Sequence, residues 1–401
     1  MGSTTVTRRL ASSAISLLVT LACLFASRPA AAYPWMIKHG YTGCNACHAD
    51  PSGGGLLTAY GRAQGEIVMR MAYNRAPDAE PGKVGDYLFG VPLPEPLLLG
   101  GDIRTLFLHT TVHGAGTSRF LVMQADVGGQ LTLGRFRVNG TLGFAHEGAL
   151  AAAITAFPEN NVVSRTHWIG VDIGSDNQVL LRAGRMNVPF GIRSIEHTLW
   201  NRTATATDTN ANQQYGVSFS YNAGITRAEL MAIVGNFSIA PDAFRSRGYS
   251  GYIELAPSTS VAVGVSSKVT YQERDLTLLT PTWRHAHGVF GRYSPVKWLT
   301  FLTEWNALHT SQPTPGEFFF GGVGNITVDM EVLQGLHLAS TFELINRSFT
   351  RESTSVGLWA TAWWFFAPHA DVRLDFLNQS LATPVGHTAA TSILAQLHFF
   401  L

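Results

Sequence analysis

Two cysteines and a histidine stand together in Cys44-Asn45-Ala46-Cys47-His48. Thiols three positions apart can add to the two vinyl groups of one haem, and a histidine directly after the second reaches the iron from the same turn of chain. The spacing therefore points to one covalently attached haem c on Cys44 and Cys47, with His48 as an iron ligand. Two other chemistries use a Cys-x-x-Cys pair. A structural zinc site needs further thiolates or imidazoles, and no second cysteine pair exists. A thioredoxin-like redox pair belongs in a βαβ unit, whereas Gly40, Gly43, Gly53, Gly54 and Gly55 make these surroundings loop-like. The sixth iron position is open among Met36, His39, Met69 and Met71. Each has an ordinary alternative, as an apolar contact, a solvated side chain or helix packing. Methionine ligation would raise the potential relative to histidine.

The elements that must position this motif begin with an export signal. Arg8 and Arg9 form a charged start, Leu10 to Phe25 an apolar stretch, and Ala30-Ala31-Ala32 a small-residue cleavage site. Residues 1–32 read as a signal peptide cut after Ala32, in preference to a membrane anchor, a lipidated Cys23 or a twin-arginine signal. Cleavage takes Cys23 away, so Cys44 and Cys47 are the only cysteines of the mature chain. It also removes Arg8, Arg9 and Arg28, which lowers the 28 basic residues to 25 against 27 acidic ones. Nothing in that balance invites nucleic acid.

Residues 97–401 carry the pattern of a membrane β-barrel. Charged residues are only 14% and glycines number 40, yet no stretch after the leader reaches the ~18 apolar residues of a membrane helix. Alternation with period two supplies the other half of the argument. Arg135, Arg137, Asn139 and Thr141 interleave with Phe136, Val138, Leu142 and Phe144. Met123, Ala125, Val127, Leu131 and Leu133 interleave with Gln124, Asp126, Gln130 and Thr132. Ala370, Val372, Leu374 and Phe376 interleave with Asp371, Arg373 and Asp375. Strands are expected to begin near Leu97, Phe120, Gly134, Thr166, Asn177, Gln213, Ile225, Arg247, Thr259, Leu276, His285, Val296, Gly316, Glu331, Ser353 and His369. The terminal stretch, with Ile393, Ala395, Leu397, Phe399 and Leu401 on one face, would be a seventeenth. Single-chain bacterial barrels have even strand numbers, so one of these must fall, and the Leu276 pattern is the weakest. A soluble sandwich or propeller also alternates. It would not combine so few charges with Trp298, Trp305, Trp359, Trp363 and Trp364 near strand ends. The expected fold is thus an all-β outer-membrane barrel of about 16 antiparallel strands with a small N-terminal haem segment. Arg135, Arg137, Asp371, Arg373 and Asp375 read as ordinary polar lumen, or as groups that hold the segment or guide ions. His285 and His287, two positions apart, read as polar surface rather than a metal pair.

Residues 33–75 form the haem segment and 76–96, with five prolines, a stiff extended linker. Leu56 to Tyr73 is expected to hold one short helix with Thr58 as N-cap and Leu57, Gly61, Ile67, Val68 and Met71 on or near its apolar side. Forty-three residues are near the lower limit for an independent core, so the segment should dock at or inside the barrel mouth.

Tyr33-Pro34-Trp35, Tyr41-Thr42-Gly43 leading into the haem motif, and Gly53-Gly54-Gly55-Leu56-Leu57-Thr58-Ala59-Tyr60-Gly61-Arg62 resemble the N-terminus of the fused outer-membrane cytochrome–porins of iron-oxidising bacteria. Gly184 to Arg193, followed by Glu196-His197-Thr198 and Arg202, resembles a barrel signature of porins associated with periplasmic multihaem cytochromes. The resemblance implies thioethers at Cys44 and Cys47, His48 as proximal ligand, and an iron:cytochrome c oxidoreductase-like role in the bacterial outer membrane. Electrons would pass from extracellular Fe(II) to a periplasmic cytochrome. A ~30 Å hydrocarbon layer independently requires a single haem to sit at mid-depth or be reached from both sides. The competing functions are a porin with a haem-bearing plug and a haem enzyme with an open iron site.

Overall fold

A computed structural model describes residues 33–71, 87–88, 91–144, 162–174, 178–194, 196, 198–312, 318–350 and 354–401. The expected leader, His197 and most of the expected linker lie outside the described residues. Within that linker, Tyr87–Leu88 pairs with Val91–Pro92 in a short antiparallel ladder.

Sixteen strands close a barrel. In chain order they are β1 Leu97–Val112, β2 Ala115–Leu133, β3 Phe136–Phe144, β4 Val162–Ile173, β5 Val179–Met186, β6 Gln214–Ala223, β7 Thr226–Gly235 and β8 Arg247–Ser258. They continue as β9 Val261–Gln272, β10 Thr282–Val296, β11 Leu299–Ser311, β12 Phe318–Leu333, β13 Leu336–Asn346, β14 Ser355–Ala367, β15 Ala370–Thr383 and β16 Gly386–Phe400. Each pairs with its sequence neighbours, and β16 closes on β1 from Ala390↔Val112 to Phe400↔Asp102. Closure leaves no edge with unpaired backbone groups, which is the condition for strands in hydrocarbon. The Leu276 stretch is not a strand: the Asp275 carboxylate accepts the Thr277 and Leu278 amides at 2.8 and 2.9 Å and folds 275–278 into a turn. With the terminal strand present and that one absent, the number is even.

One end of the barrel carries connections of two to five residues, such as 134–135, 224–225 and 334–335, together with the start of β1 and the end of β16. The other end carries the longer connections, including 145–161 and 187–213. The alternation resolves as grease outside and charge inside. Phe136, Val138 and Leu142 are exposed on β3, Leu374 and Phe376 on β15, while Asn139, Asp371, Arg373 and Asp375 are buried in the lumen. Among the described residues no helix is long and apolar enough to cross a membrane, so the crossing is made by strands.

Three expectations need correcting. Arg135 belongs to the turn after β2 and is exposed there rather than lining the lumen. Met123 sits where the β1–β2 register shifts and packs on the internal cluster Leu106, Leu199, Trp359, Leu377 and Leu394. A bulge reverses the alternation at that point, and sequence period alone does not show it. Trp359 and Trp363 likewise turn inward, their indole nitrogens donating to Glu343 and Asp371, whereas Trp298 and Trp364 stay outside.

Two insertions occupy the lumen. From the short-turn end come residues 33–71: a 3-10 turn over Pro34–His39, then the haem motif, then α1 Ala59–Gln64 running on into a π turn over Gly65–Met69. From the long-loop end comes 187–213, which carries α2 Trp200–Thr205.

Candidate functional site

The haem motif is one tight turn. The Cys47 and His48 amides both donate to the Cys44 carbonyl, at 3.2 and 3.0 Å, so the three chemical groups share one loop of chain. Thr58 fastens this turn to α1. Its amide donates to the Cys47 carbonyl at 2.9 Å and its hydroxyl to Ala46 at 2.7 Å, while the same hydroxyl accepts the Gly61 amide as the expected N-cap. His48 bridges Leu57, and Ala49 donates to Leu56 at 2.9 Å.

Two glycines make the cradle possible. A Cβ on Gly61 would lie 2.3 Å from the Cys47 carbonyl oxygen, so α1 packs backbone to backbone against the motif. Gly53, at φ +94°, brings its bare Cα over the motif; a Cβ there would stand 3.3 Å from Cys44 Sγ and 3.9 Å from His48 Cδ2. The run Gly53-Gly54-Gly55 is left-handed throughout.

Both cysteines are free of any disulfide. Burial pushes the Cys44 thiol up and the Cys47 thiol to about 12. A redox-active pair or a thiolate ligand needs the opposite shift, so the local chemistry favours neutral thiols. Burial also pulls His48 down to about 4, against opposing contributions from Asp50 and the Gly55 carbonyl, which leaves a neutral imidazole able to ligate iron. No bond of good geometry holds its Nδ1 among the described residues.

Barrel side chains hold the segment. Arg193, from the inward loop, donates to the Gly53 carbonyl at 2.9 Å and the Ser52 hydroxyl at 2.5 Å and lies 3.4 Å from Asp50. Arg182 on β5 lies 3.6 Å from the same carboxylate. Burial alone would raise the Asp50 carboxyl, but these two guanidinium groups hold it below its ordinary value. Arg292 on β10 donates to the Thr42 carbonyl at 2.7 Å. Lys38 pairs with Asp329 at 2.6 Å, His39 with Glu331 at 2.9 Å, and Gln334 caps the Ile67 and Arg70 carbonyls. Trp35, Met36 and Met69 pack with Trp363 and Phe365 into one internal cluster.

Among the barrel charges that grip the segment, Arg182, Arg292 and Asp329 carry no signal in the sequence and Arg193 stands only within a longer motif, whereas His39, Met36 and Met69, read as candidate iron ligands, and Trp363, read as an interface residue, anchor the segment instead. A lone charge on an alternating strand looks the same whether it meets water or a plug. Of the charges it did single out, Arg137 pairs with Asp172 across the wall and Arg373 with Asp375 and the loop residue Glu196.

A cavity of about 1870 Å³, including open lumen, lies beside the motif. Cys44, Cys47 and His48 all line it, with Gly53 and Gly61. Its walls add Leu56, Leu57, Phe400 and Leu401 on the apolar side and Arg104, Arg165 and Arg193 on the basic side. The residues present fit a haem: two neutral thiols free of any disulfide, a neutral imidazole on the same turn, and apolar walls from Leu56, Leu57 and Phe400 beside them. A haem bound here supplies one-electron exchange at the iron; the chain positions it and excludes water. The four candidates for the sixth position separate. Met36 and Met69 are buried and line this cavity, whereas His39 is engaged by Glu331 and the Met71 amide is tied to the Phe365 carbonyl, away from it.

The inward loop closes the lumen from the other side. Arg202 donates to Glu304 at 2.6 Å, the Trp200 amide to Glu343 at 3.0 Å, and Asn201 to Asn325. Lys268 donates to the Thr205 and Ala206 carbonyls at 2.7 Å each, placing its cation at the C-terminus of α2.

No family model matches the chain, and no curated protein matches it. Solved structures do. The outer-membrane-expressed OmpT of Vibrio cholerae is 12% identical with a TM-score of 0.54, covering 77% of this chain and 99% of that one. An anion-selective porin from Comamonas acidovorans is 12% identical with a TM-score of 0.57, over 76% and 99%. The outer membrane channel DcaP of Acinetobacter baumannii is 10% identical with a TM-score of 0.54, over 76% and 97%. The shared property is the fold. A closed sixteen-strand barrel of this kind, with an exposed apolar belt on its strands, sits in the bacterial outer membrane in contact with lipid.

Proposed function

We propose that this protein carries electrons through the outer membrane by way of one haem c in its lumen, from an extracellular reductant such as Fe(II) to a periplasmic cytochrome. The observation that carries the reading is the placement of Cys44, Cys47 and His48 on one turn inside the barrel, facing a common cavity and clamped by Arg193. Short turns of such barrels face the periplasm and long loops the exterior. On that orientation the segment enters from the periplasmic side, and the inward loop stands between the site and the exterior. The resemblance to cytochrome–porins of iron oxidisers supplies the donor. Arg193 and Thr58 keep the motif fixed, which limits reorganisation on electron exchange, while Trp35, Met36 and Met69 shield the site from water.

The likeness to porins and channels, together with the open part of the cavity, favours a second reading, a channel plugged by the haem segment. One experiment separates them. Protein purified in detergent should give an alkaline pyridine haemochrome of one haem c per chain and should be reduced by Fe(II), with little conductance in planar bilayers. Haem that Fe(II) fails to reduce would remove iron as donor. Absence of covalent haem, with open-channel conductance, would overturn the electron-transfer reading.

A further inference from the structure

The cavity that Cys44, Cys47 and His48 face has two unlike sides. The haem segment is gripped from β10 and β12, where Arg292 holds the Thr42 carbonyl and Asp329 and Glu331 pair with Lys38 and His39. Strands β1 to β4 stand across the ring from these anchors and line the same cavity with Asp102, Arg104, Gln124, Asp126, Asn139 and Arg165.

Among the described residues, five arginines and four carboxylates line the cavity. Four of the arginines pair with a lining carboxylate: Arg165 with Asp126 at 3.1 Å, Arg193 with Asp50 at 3.4 Å, and Arg227 and Arg292 with Glu254 at 2.9 and 2.5 Å. Arg104 on β1, 6% exposed, makes no ion pair among those residues. Its one hydrogen bond among them is a 3.4 Å contact with His398 Nε2, a nitrogen that also lies 3.2 Å from Asp102. One ring nitrogen cannot accept from the guanidinium and donate to the carboxylate at once. Asp371 takes the other ring nitrogen at 2.8 Å, so the nearest carboxylates face the imidazole and the guanidinium keeps donors for the cavity.

The chemistry of haem c supplies the direction. Its thioethers sit on two adjacent pyrroles and its propionates on the other two, so the carboxylates leave from the edge opposite the cysteines. With Cys44 and Cys47 on the segment, that edge belongs on the β1 to β4 wall. Of the two cations there, Arg165 is already engaged through all three nitrogens, by Asp126 and by the Asn210 and Phe144 carbonyls. We propose that Arg104 is the seat of a haem propionate, with His398 beside it as the group that orients the guanidinium. A planar fork takes a carboxylate through paired N–H donors. The prosthetic group is then tied to the barrel wall at one edge and to the plug at the other. This inference rests on the haem reading above.

The test uses full-length protein purified in detergent. Pyridine haemochrome on the wild type comes first, and absence of covalent haem would overturn the haem reading and this inference with it. The seat is then read from the propionate bending band in resonance Raman spectra, whose frequency rises with hydrogen bonding to the carboxylate. Arg104→Gln should keep its haem, shift that band to lower frequency and lower the midpoint potential, because a cation near the iron is lost. Arg104→Lys should recover the potential but only part of the band, since it restores the charge without the paired donors. A merely structural role would change haem yield and leave the band of the loaded protein in place. Haem-loaded Arg104→Gln with a wild-type band therefore overturns the proposal and leaves the haem reading standing. If Arg104→Gln fails to assemble, Arg104→Lys gives the same readout, and an unshifted band there overturns the proposal too.

Discussion

Residues 187–213 and residues 33–71 both fill the lumen, but they are held there by different chemistry. The inward loop is fixed to the wall at both ends, by β5 and β6, and, beside Leu199 and Val188 in internal apolar clusters, the contacts around α2 are buried and polar: Arg202 with Glu304, Asn201 with Asn325, Trp200 with Glu343, Lys268 with the end of α2. The N-terminal segment keeps an aromatic and methionine cluster at its base and polar clamps around its haem motif. A polar network fails when one partner is removed, because the remaining charge stays buried. An apolar cluster fails mainly when a close packing contact is lost.

That contrast can be broken at four points. The largest effect is expected from Cys44→Ala with Cys47→Ala, which should abolish covalent haem and all haem-dependent reduction by Fe(II). The barrel should still show its heat-dependent gel shift. Loss of that shift as well would mean that wall and plug are not separable. Next, Glu304→Ala leaves Arg202 buried and unpaired, a cost of about 3–5 kcal/mol, and should release the loop. Single-channel conductance should rise with haem content unchanged, and an unaltered conductance would show that the loop is held by something other than this pair.

Acidification should act on the segment and spare the loop. In the haem-free double variant, burial and Arg62 hold His369 at about 4 when docked, against an ordinary ~6.5 when free. The undocked state then binds more protons between those two values. Docking is therefore fully favoured above about pH 6.5 and weakens as pH falls toward 4, by up to roughly 3 kcal/mol. Protease cleavage within 33–71 followed against pH should show that rise, and His369→Gln should reduce it, the remainder coming from His48, which burial in the docked segment also holds at about 4. The smallest effect belongs to Gly61→Ala. The added methyl meets the Cys47 carbonyl oxygen at 2.3 Å, an overpacking of about 1–3 kcal/mol. Haem yield should fall while conductance through an opened loop variant stays the same; an unchanged yield would show that α1 can shift away from the motif.

Much of the barrel was legible in the sequence. Alternation in β3, β15 and β16 identified the lipid face at Phe136, Val138, Leu142, Leu374, Phe376, Ile393, Leu397 and Phe399, because every second side chain on a closed barrel meets one solvent, while Ala370 at the start of β15 is buried instead. The pattern failed where local geometry interrupts the period: at the β2 bulge that turns Met123 inward, and at the Asp275 turn that mimics a strand. Trp359 and Trp363 misled for another reason. Tryptophan suits both a membrane interface and an internal cluster whose carboxylates accept its N–H. Thr58 as N-cap was readable because capping is local, whereas Lys38 with Asp329 joins residues 291 apart and leaves no local mark.

The sequence by itself determined the motif at Cys44, Cys47 and His48, since its chemistry depends on spacing along a single turn, and the barrel wall, since its pattern depends on alternation along single strands. Only the tertiary structure decided which charges grip the plug, that Met36 and Met69 share the motif's cavity while His39 does not, and that Gly65 of the plug lies flush against His369 in the β14–β15 turn. Those relations join residues from distant parts of the chain, and closure of the barrel is what brings them within reach of one another.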